Sequence, residues 1–415
     1  MLLYFIAYLD RVNIGFAALS MNEDIGLSAA AFGFGAGVFF IGYCLFEVPS
    51  NLILHRVGAR RWIARIMLTW GIISGAMAFV QGPMSLYVLR FLLGVAEAGF
   101  FPGIILYLSY WFPARHRAGV TALFMAAVPI SIALGSPLSG ALLTMDGLLG
   151  LRGWQWLFLI EAAPAVILAG VVLVYLTDRP KDAHWLDEEE KAWLIAEMKA
   201  EETAVSNAHA TQSVLRALTN PKVLALALIY FGTSAGLYTV GIWSPQIIAQ
   251  HGVGPVATGF INSVPPILAV LAMVVWARHS DYTGERNWHV VIACLVAAAG
   301  LAMAANTTGL LMVVLALVLV SAGVSSAKPP LWSIPTQFLT GSAAATGIAA
   351  VNSIGNLGGF AGPYIIGWMK DRTGGYAGGL LSVAAALTIS AILVLVLARW
   401  GVGRPGTADV HAQRE

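Results

Sequence analysis

Seven charged side chains lie inside apolar runs of this sequence: Asp10, Arg11, Glu47, Arg90, Glu97, Glu161 and Lys328. A charge at the centre of a bilayer costs about 2.5–3.5 kcal/mol even on lenient insertion scales, so such residues face protein or a water-filled path. Asp10 and Glu97 can exchange protons, and the guanidinium forks of Arg11 and Arg90 suit a carboxylate or another oxyanion. In YVLRFLLGVAEAGFFPG, Arg90 precedes Glu97 by seven residues. On a helix that is one face and about 10 Å of axial distance. Tyr43 falls at similar mid-depth in another apolar run. Two carboxylates, two arginines and a phenol can therefore converge on one cavity in the N-terminal half. Asp10 and Arg11, adjacent in AYLDRVNIG, can alternatively neutralise each other and pin helices. Glu47, beside Pro49, reads as structural, and Glu161, about two turns into its run, receives no role.

The C-terminal half carries fewer charges. Lys328 sits in SSAKPPLWSIPTQF, where Pro329, Pro330 and Pro335 are expected to break the helix and expose backbone groups beside Trp332 and Ser333. Asn352 and Asn356, at i and i+4 in VNSIGNLGG, share a helix face. They suit hydroxyl or carboxyl oxygens, and equally suit hydrogen bonds between helices. Trp332 and Trp243 are expected to line the cavity.

The positioning elements follow from composition. Of 415 residues, 58% are hydrophobic and 11% charged, against roughly 25% charged in soluble domains. The predicted class is an all-α polytopic membrane protein with twelve transmembrane helices, at about 1–20, 30–54, 62–81, 84–110, 117–143, 154–176, 222–248, 257–278, 288–305, 309–337, 343–368 and 377–398. Runs of about 20 apolar residues span a hydrocarbon core, where helices satisfy their own backbone. The short alternating strands of a β-barrel are absent from the sequence pattern. With the N-terminus inside, 17 of the 23 Lys and Arg residues fall in inner loops and the tail. This is the positive-inside pattern and predicts two cytoplasmic termini.

The predicted organisation is an N-terminal six-helix bundle (1–176), a cytoplasmic linker (177–221), a C-terminal six-helix bundle (222–398) and a tail (399–415). Within the linker, HWLDEEEKAWLIAEMKAEE reads as a short amphipathic helix, with Asp187 and Glu190 spaced as a capping box. The halves repeat. Gly58, Arg60 and Trp62 recur as Gly284, Arg286 and Trp288, an offset of 226; Gly135 and Gly140 recur as Gly362 and Gly367, an offset of 227. Such pseudo-symmetric bundles commonly rock around a site near the midplane. The GTSAG at 232–236 matches a nucleophile elbow, but that motif needs a strand-to-helix turn. Cys44 and Cys294 lack metal-ligand spacing and read as small hydrophobes. No cofactor, no metal and no nucleic acid partner is expected, and net charge is only +2.

Burial favours protonation of a carboxylate and a nearby arginine opposes it. An anion that occupies the arginine relieves the opposition, so anion and proton bind together, which is the minimum requirement of a symporter. An anion entering against an inside-negative potential costs about 2.3 kcal/mol per charge per 100 mV, which co-transported protons offset.

At these residues the sequence resembles the major facilitator superfamily, specifically its anion:cation symporter family. The motifs are YLDRVNIGFA, HRVGARRW, RFLLGVAEAGFFPG and NSIGNLGGFAGP, spread over nearly the whole chain. The resemblance implies the major facilitator fold and proton-coupled uptake of organic anions across the bacterial inner membrane. It implies coupling carboxylates at Asp10 and Glu97, with Arg11, Tyr43 and Arg90 around the anion. The acidic residue usual before the first basic loop is His55 here, while the second loop keeps Asp281. KPPLWSIPT and NSIGNLGG look like the tartrate, phthalate and 4-hydroxyphenylacetate branch. A tartrate-like hydroxy-dicarboxylate is the first expectation, since Lys328 adds a third cation; aromatic acids come second and sugar acids third. The expected partners are a small organic acid anion, protons and membrane lipid, and the expected state is a monomer. A drug/proton antiporter is disfavoured by three cavity cations, a non-transporting sensor by the short linker, and an enzyme by the lack of a nucleophile–base constellation.

Overall fold

A computed structural model describes residues 1–206, 220–335 and 341–401. The linker residues 207–219, the last residues of the tenth expected span and the tail beyond 401 lie outside them. Among the described residues all regular structure is helical. The helices are α1 (Leu2–Asp24), α2 (Ala29–Val57), α3 (Ala59–Ala76), α4 (Pro83–Glu97), α5 (Phe100–Trp111), α6 (Ala114–Met125), α7 (Ala127–Leu142) and α8 (Gly153–Tyr175). They continue as α9 (Glu188–Ser206), α10 (Pro221–Ala249), α11 (Pro255–Thr283), α12 (Asn287–Asn306), α13 (Leu310–Ser333), α14 (Gly341–Asn356), α15 (Gly358–Thr373) and α16 (Ala377–Arg399). Among the described residues, eleven segments are long and apolar enough to cross a membrane. The expected eleventh span is built instead from α14 and α15, which meet at a turn on Leu357.

Three spans are broken, and proline explains two breaks. Pro102 and Pro129 cannot donate to the carbonyls of Ala98 and Met125, four residues earlier, and their rings crowd those carbonyls. The chain accordingly leaves helix at Ala98–Gly99, where Gly99 takes φ +84°, whereas Ala126 keeps right-handed helical dihedrals (φ −61°, ψ −19°) and only the hydrogen-bond ladder is interrupted there. Of the prolines expected to break this span, Pro329 and Pro330 do not, and α13 ends at Ser333, two residues before Pro335. Pro329 and Pro330 cannot donate to the Ser325 and Ser326 carbonyls, yet the chain stays helical through both. The upstream part of α13 is packed on α11 and α12.

The chain forms two compact units, residues 1–27 with 38–209, and residues 28–37 with 210–415. In the first, α1 packs on α7 and α8, and α3 on α8 and α4. Trp154 Nε1 donates to Asp24 at 2.8 Å, so the C-terminal end of α1 meets the N-terminal end of α8. At the other end, Asp178 accepts from the Arg60 N–H at 2.7 Å beside Gly58 (φ +96°), capping α3 from the start of the linker. Asp187 and Glu190 exchange backbone hydrogen bonds at 2.7 and 3.2 Å, the expected capping box.

In the second unit α12 packs on α13 and α16, and α10 on α14, α15 and α16. A Cβ at Gly323 would lie 2.5 Å from the Ala293 carbonyl oxygen, so α12 and α13 approach as closely as only glycine allows. The first residues of α2 belong here because Asp371, past the apolar part of α15, accepts from the Ala29 and Ala30 N–H groups at 3.0 and 2.8 Å. Leu134, Ile167, Leu271, Val275 and Ile389 are exposed, a surface suited to lipid rather than water. GTSAG lies within α10 with no strand before it, so the nucleophile-elbow geometry is not formed.

Candidate functional site

Adjacent residues on a helix point about 100° apart, and that rotation decides the fate of Asp10 and Arg11. Asp10, 1% exposed, turns toward α3, where Trp70 Nε1 and Ser74 Oγ donate to its two oxygens at 2.8 and 2.9 Å. Arg11 turns toward α4, where its Nε donates to Glu97 Oε2 at 2.7 Å. The pair neutralised in this structure is therefore Arg11 with Glu97, 86 residues apart.

The cage around Arg11 is aromatic. Its guanidinium carbon lies 5.2 Å from the Tyr8 ring, 5.4 Å from Phe39 and 5.1 Å from Tyr43. Arg90, 1% exposed, also lies against the Phe39 ring, 5.1 Å from its centre. Cations over ring faces gain when water is excluded, which helps hold two guanidiniums in a buried site. Small residues permit the geometry. A Cβ at Gly94 would collide with the Phe39 carbonyl oxygen, and one at Gly42 with that of Phe91. The two glycines bring α2 against α4, so Phe39 and Tyr43 reach the Arg90–Glu97 face. The break after Glu97 then ends α4 where the carboxylate meets Arg11.

The structure thus brings Arg11, Tyr43, Arg90 and Glu97 together and places Asp10 beside them, bonded to α3. Trp70 and Ser74, the partners of Asp10, were not singled out in the sequence. Their signal is a polar i, i+4 pair in the apolar run TWGIIS. Tyr8 and Phe39 carried no signal at all, being ordinary span residues.

In the second unit, Lys328 and Trp332 lie one turn apart near the end of α13, both half-buried. The Trp332 ring meets Tyr230 edge-on at 4.9 Å, and Gly355 packs flush against the Tyr230 ring. Asn352 and Asn356 are half-buried on α14, Asn356 being its last residue. Lys328, Trp332, Asn352 and Asn356 therefore occupy two helices that end near Tyr230's neighbours. Trp243 departs from expectation: it is fully buried, donates to the Pro363 carbonyl at 3.1 Å and stacks edge-on with Phe32 and Tyr376. It is a packing residue in this conformation. Glu47 is buried near the end of α2, its carbonyl accepting from Asn51.

Comparison with known proteins agrees with this architecture. The Major Facilitator Superfamily profile matches residues 1–363. An Agrobacterium vitis protein named "Putative tartrate transporter" is 68% identical over 96% of this chain and 88% of its own length. An Acinetobacter baumannii protein named "Quinolone resistance transporter" is 42% identical over 95% and 91%. Among solved structures, an inward-facing bacterial homologue of the human lysosomal transporter Spinster superposes with a TM-score of 0.78 at 17% identity, covering 96% of this chain and 95% of that one. The chain is a multi-pass membrane transporter of the major facilitator superfamily.

Proposed function

We propose that the protein is a proton-coupled symporter that imports a small organic carboxylate, with a tartrate-like hydroxy-dicarboxylate as first substrate. Aromatic acids such as phthalate or 4-hydroxyphenylacetate come second and sugar acids third. The observation that carries this reading is the buried Arg11–Glu97 pair at 2.7 Å, with Asp10 held next to it by neutral donors. The 68% identical relative named for tartrate supports the substrate class.

The cycle follows from elementary electrostatics. A carboxylate of the substrate competes with Glu97 for the Arg11 fork. A buried carboxylate stripped of its cation is too costly to remain ionised, so Glu97 takes up a proton as the anion docks. The guanidinium stays paired throughout; only its partner changes. Asp10 has hydrogen bonds and, among the described residues, no direct ion pair, so it takes a second proton independently of Arg11. Two protons make uptake of a dianion electroneutral. Lys328 is assigned to the second carboxylate, Asn352 and Asn356 to substrate hydroxyls, and Trp332 and Tyr43 to the walls. In this reading the protein sits in a bacterial inner membrane as a monomer with both termini cytoplasmic.

The test is transport into weakly buffered vesicles, recording external pH while tartrate, phthalate, 4-hydroxyphenylacetate and galactonate are added in turn. The expected outcome is alkalinisation with one acid, lost in both Asp10→Asn and Glu97→Gln. Flux without any pH change would refute proton coupling.

A further inference from the structure

One buried acid has no part in that cycle. Glu161 on α8 is 1% exposed and accepts a hydrogen bond from Ser139 Oγ of α7 at 2.6 Å through one oxygen. Its other oxygen has no hydrogen-bond partner among the described residues. The side chain that faces it from α1 is Asn13, fully buried, with neither its amide nitrogen nor its oxygen in a hydrogen bond of normal geometry. Leaving a buried polar atom unpaired costs about 1–3 kcal/mol, so three such atoms in one place need a reason.

Depth supplies the reason. Trp154 at the start of α8 is bonded to Asp24 at the end of α1, which sets a common level for the two helices. Counting down from there at about 1.5 Å per residue, Glu161 lies about 10 Å in, Asn13 about 16 Å and Asp10 about 21 Å. Ser139 sits level with Glu161, because Asp146, seven residues after it, bonds the Gly153 N–H at 2.9 Å. The polar groups form a descending ladder from the face carrying Asp24, Asp146 and Arg152 to the acid bonded by Trp70 and Ser74. In the positive-inside orientation this is the outer face.

We propose that Glu161 is the outer station of a proton relay that loads Asp10, with the Asn13 amide standing between the two acids. The inference rests on the proton-coupled reading above. A proton from outer water adds to the Glu161 carboxylate; it then leaves Glu161 and arrives on the Asp10 carboxylate, restoring the Glu161 anion, with no other bond changed. The charged groups that bear on the lower end are Glu97 and Arg90 of α4. On the upper end they are reduced to Asp10 itself, with Ser139 and Asn13 as neutral partners. Glu161 is a relay residue and touches no substrate.

The decisive variant is Glu161→Gln, which keeps the volume and can still accept from Ser139. In vesicles with tartrate, proton uptake should slow at least about tenfold while tartrate counterflow, which needs no net proton movement, stays within about twofold of wild type. Asn13→Leu should show the same split, more weakly, and carries the test if the glutamine variant does not reach the membrane. A substrate-free readout accompanies both: infrared difference spectra of the purified protein across the neutral pH range should contain a carboxyl band that disappears in Glu161→Gln. Wild-type proton uptake in both variants, proton uptake and counterflow falling in parallel, or no Glu161 band would each overturn the relay. Absence of substrate-linked proton uptake in the wild type would instead refute proton coupling itself.

Discussion

The two units treat charge in opposite ways. In the N-terminal unit, Asp10, Arg11, Arg90, Glu97 and Glu161 are all at most 7% exposed, each fixed by a named hydrogen bond or ring face. In the C-terminal unit the candidate residues are one lysine, two amides and a tryptophan, all half-buried. A dry, interlocked cluster couples its members strongly, because each change of charge leaves another group without its partner. Half-buried, mostly neutral groups can contact a ligand without such consequences. In this account the first unit performs proton exchange and holds one carboxylate, while the second chooses which molecule carries it.

The hardest blow to that division is Arg11→Ala. It strands Glu97 in the interior, where breaking a buried pair costs about 3–5 kcal/mol, so both thermal stability and uptake should collapse. Arg11→Lys should recover stability but not transport, since an ammonium lacks the two-toothed fork; a melting curve and an uptake assay together check this. On the other side, Lys328→Ala should raise KM for a dicarboxylate about tenfold with kcat nearly unchanged, and leave a monocarboxylate unaffected, the pattern of lost binding common to ground and transition states. If Lys328→Ala instead abolished proton uptake, the two units would not divide the work. Trp70→Phe removes one donor from Asp10 and should cut proton-driven uptake several-fold while sparing counterflow, a loss of about 1–2 kcal/mol at most.

Much of this was readable from residue types. The spans, the repeat at offsets of 226 and 227, and the acid–arginine face of α4 follow from hydropathy and helical spacing. What sequence spacing could not give is direction around a helix axis relative to unseen neighbours. Asp10 and Arg11 look like a pair because they are adjacent, yet α3 claims one and α4 the other. Proline misled in the same way. Pro329 and Pro330 are the loudest breakers in the sequence, but α13 stays helical through both. The break that shapes the site, at Ala98–Gly99, sits three to four residues before the quieter Pro102. Trp243 was read by type as a cavity wall, whereas its indole is consumed by the Pro363 carbonyl.

The gentlest expected effect concerns the start of α2. Burial by itself would raise the Asp371 carboxyl, but the Ala30 N–H, the Ser28 hydroxyl, the Ala29 N–H and Lys370 together hold it below its ordinary value. A depressed folded-state value means that the cap contributes stability above the ordinary carboxylate range and loses it as pH falls through the lowered value. Hydrogen exchange over residues 29–31 should therefore be slower in wild type than in Asp371→Asn at neutral pH, with the difference vanishing in acid. Equal exchange at all pH values would show that the cap contributes nothing.

The central claim is that substrate takes Arg11 from Glu97 and that Glu97 receives a proton in exchange. Infrared difference spectroscopy on the purified protein, before and after tartrate at neutral pH, reads this step directly. The account predicts a new protonated-carboxyl stretch that is missing in Glu97→Gln. Tartrate bound with no such band, or with the same band in the glutamine variant, would contradict it.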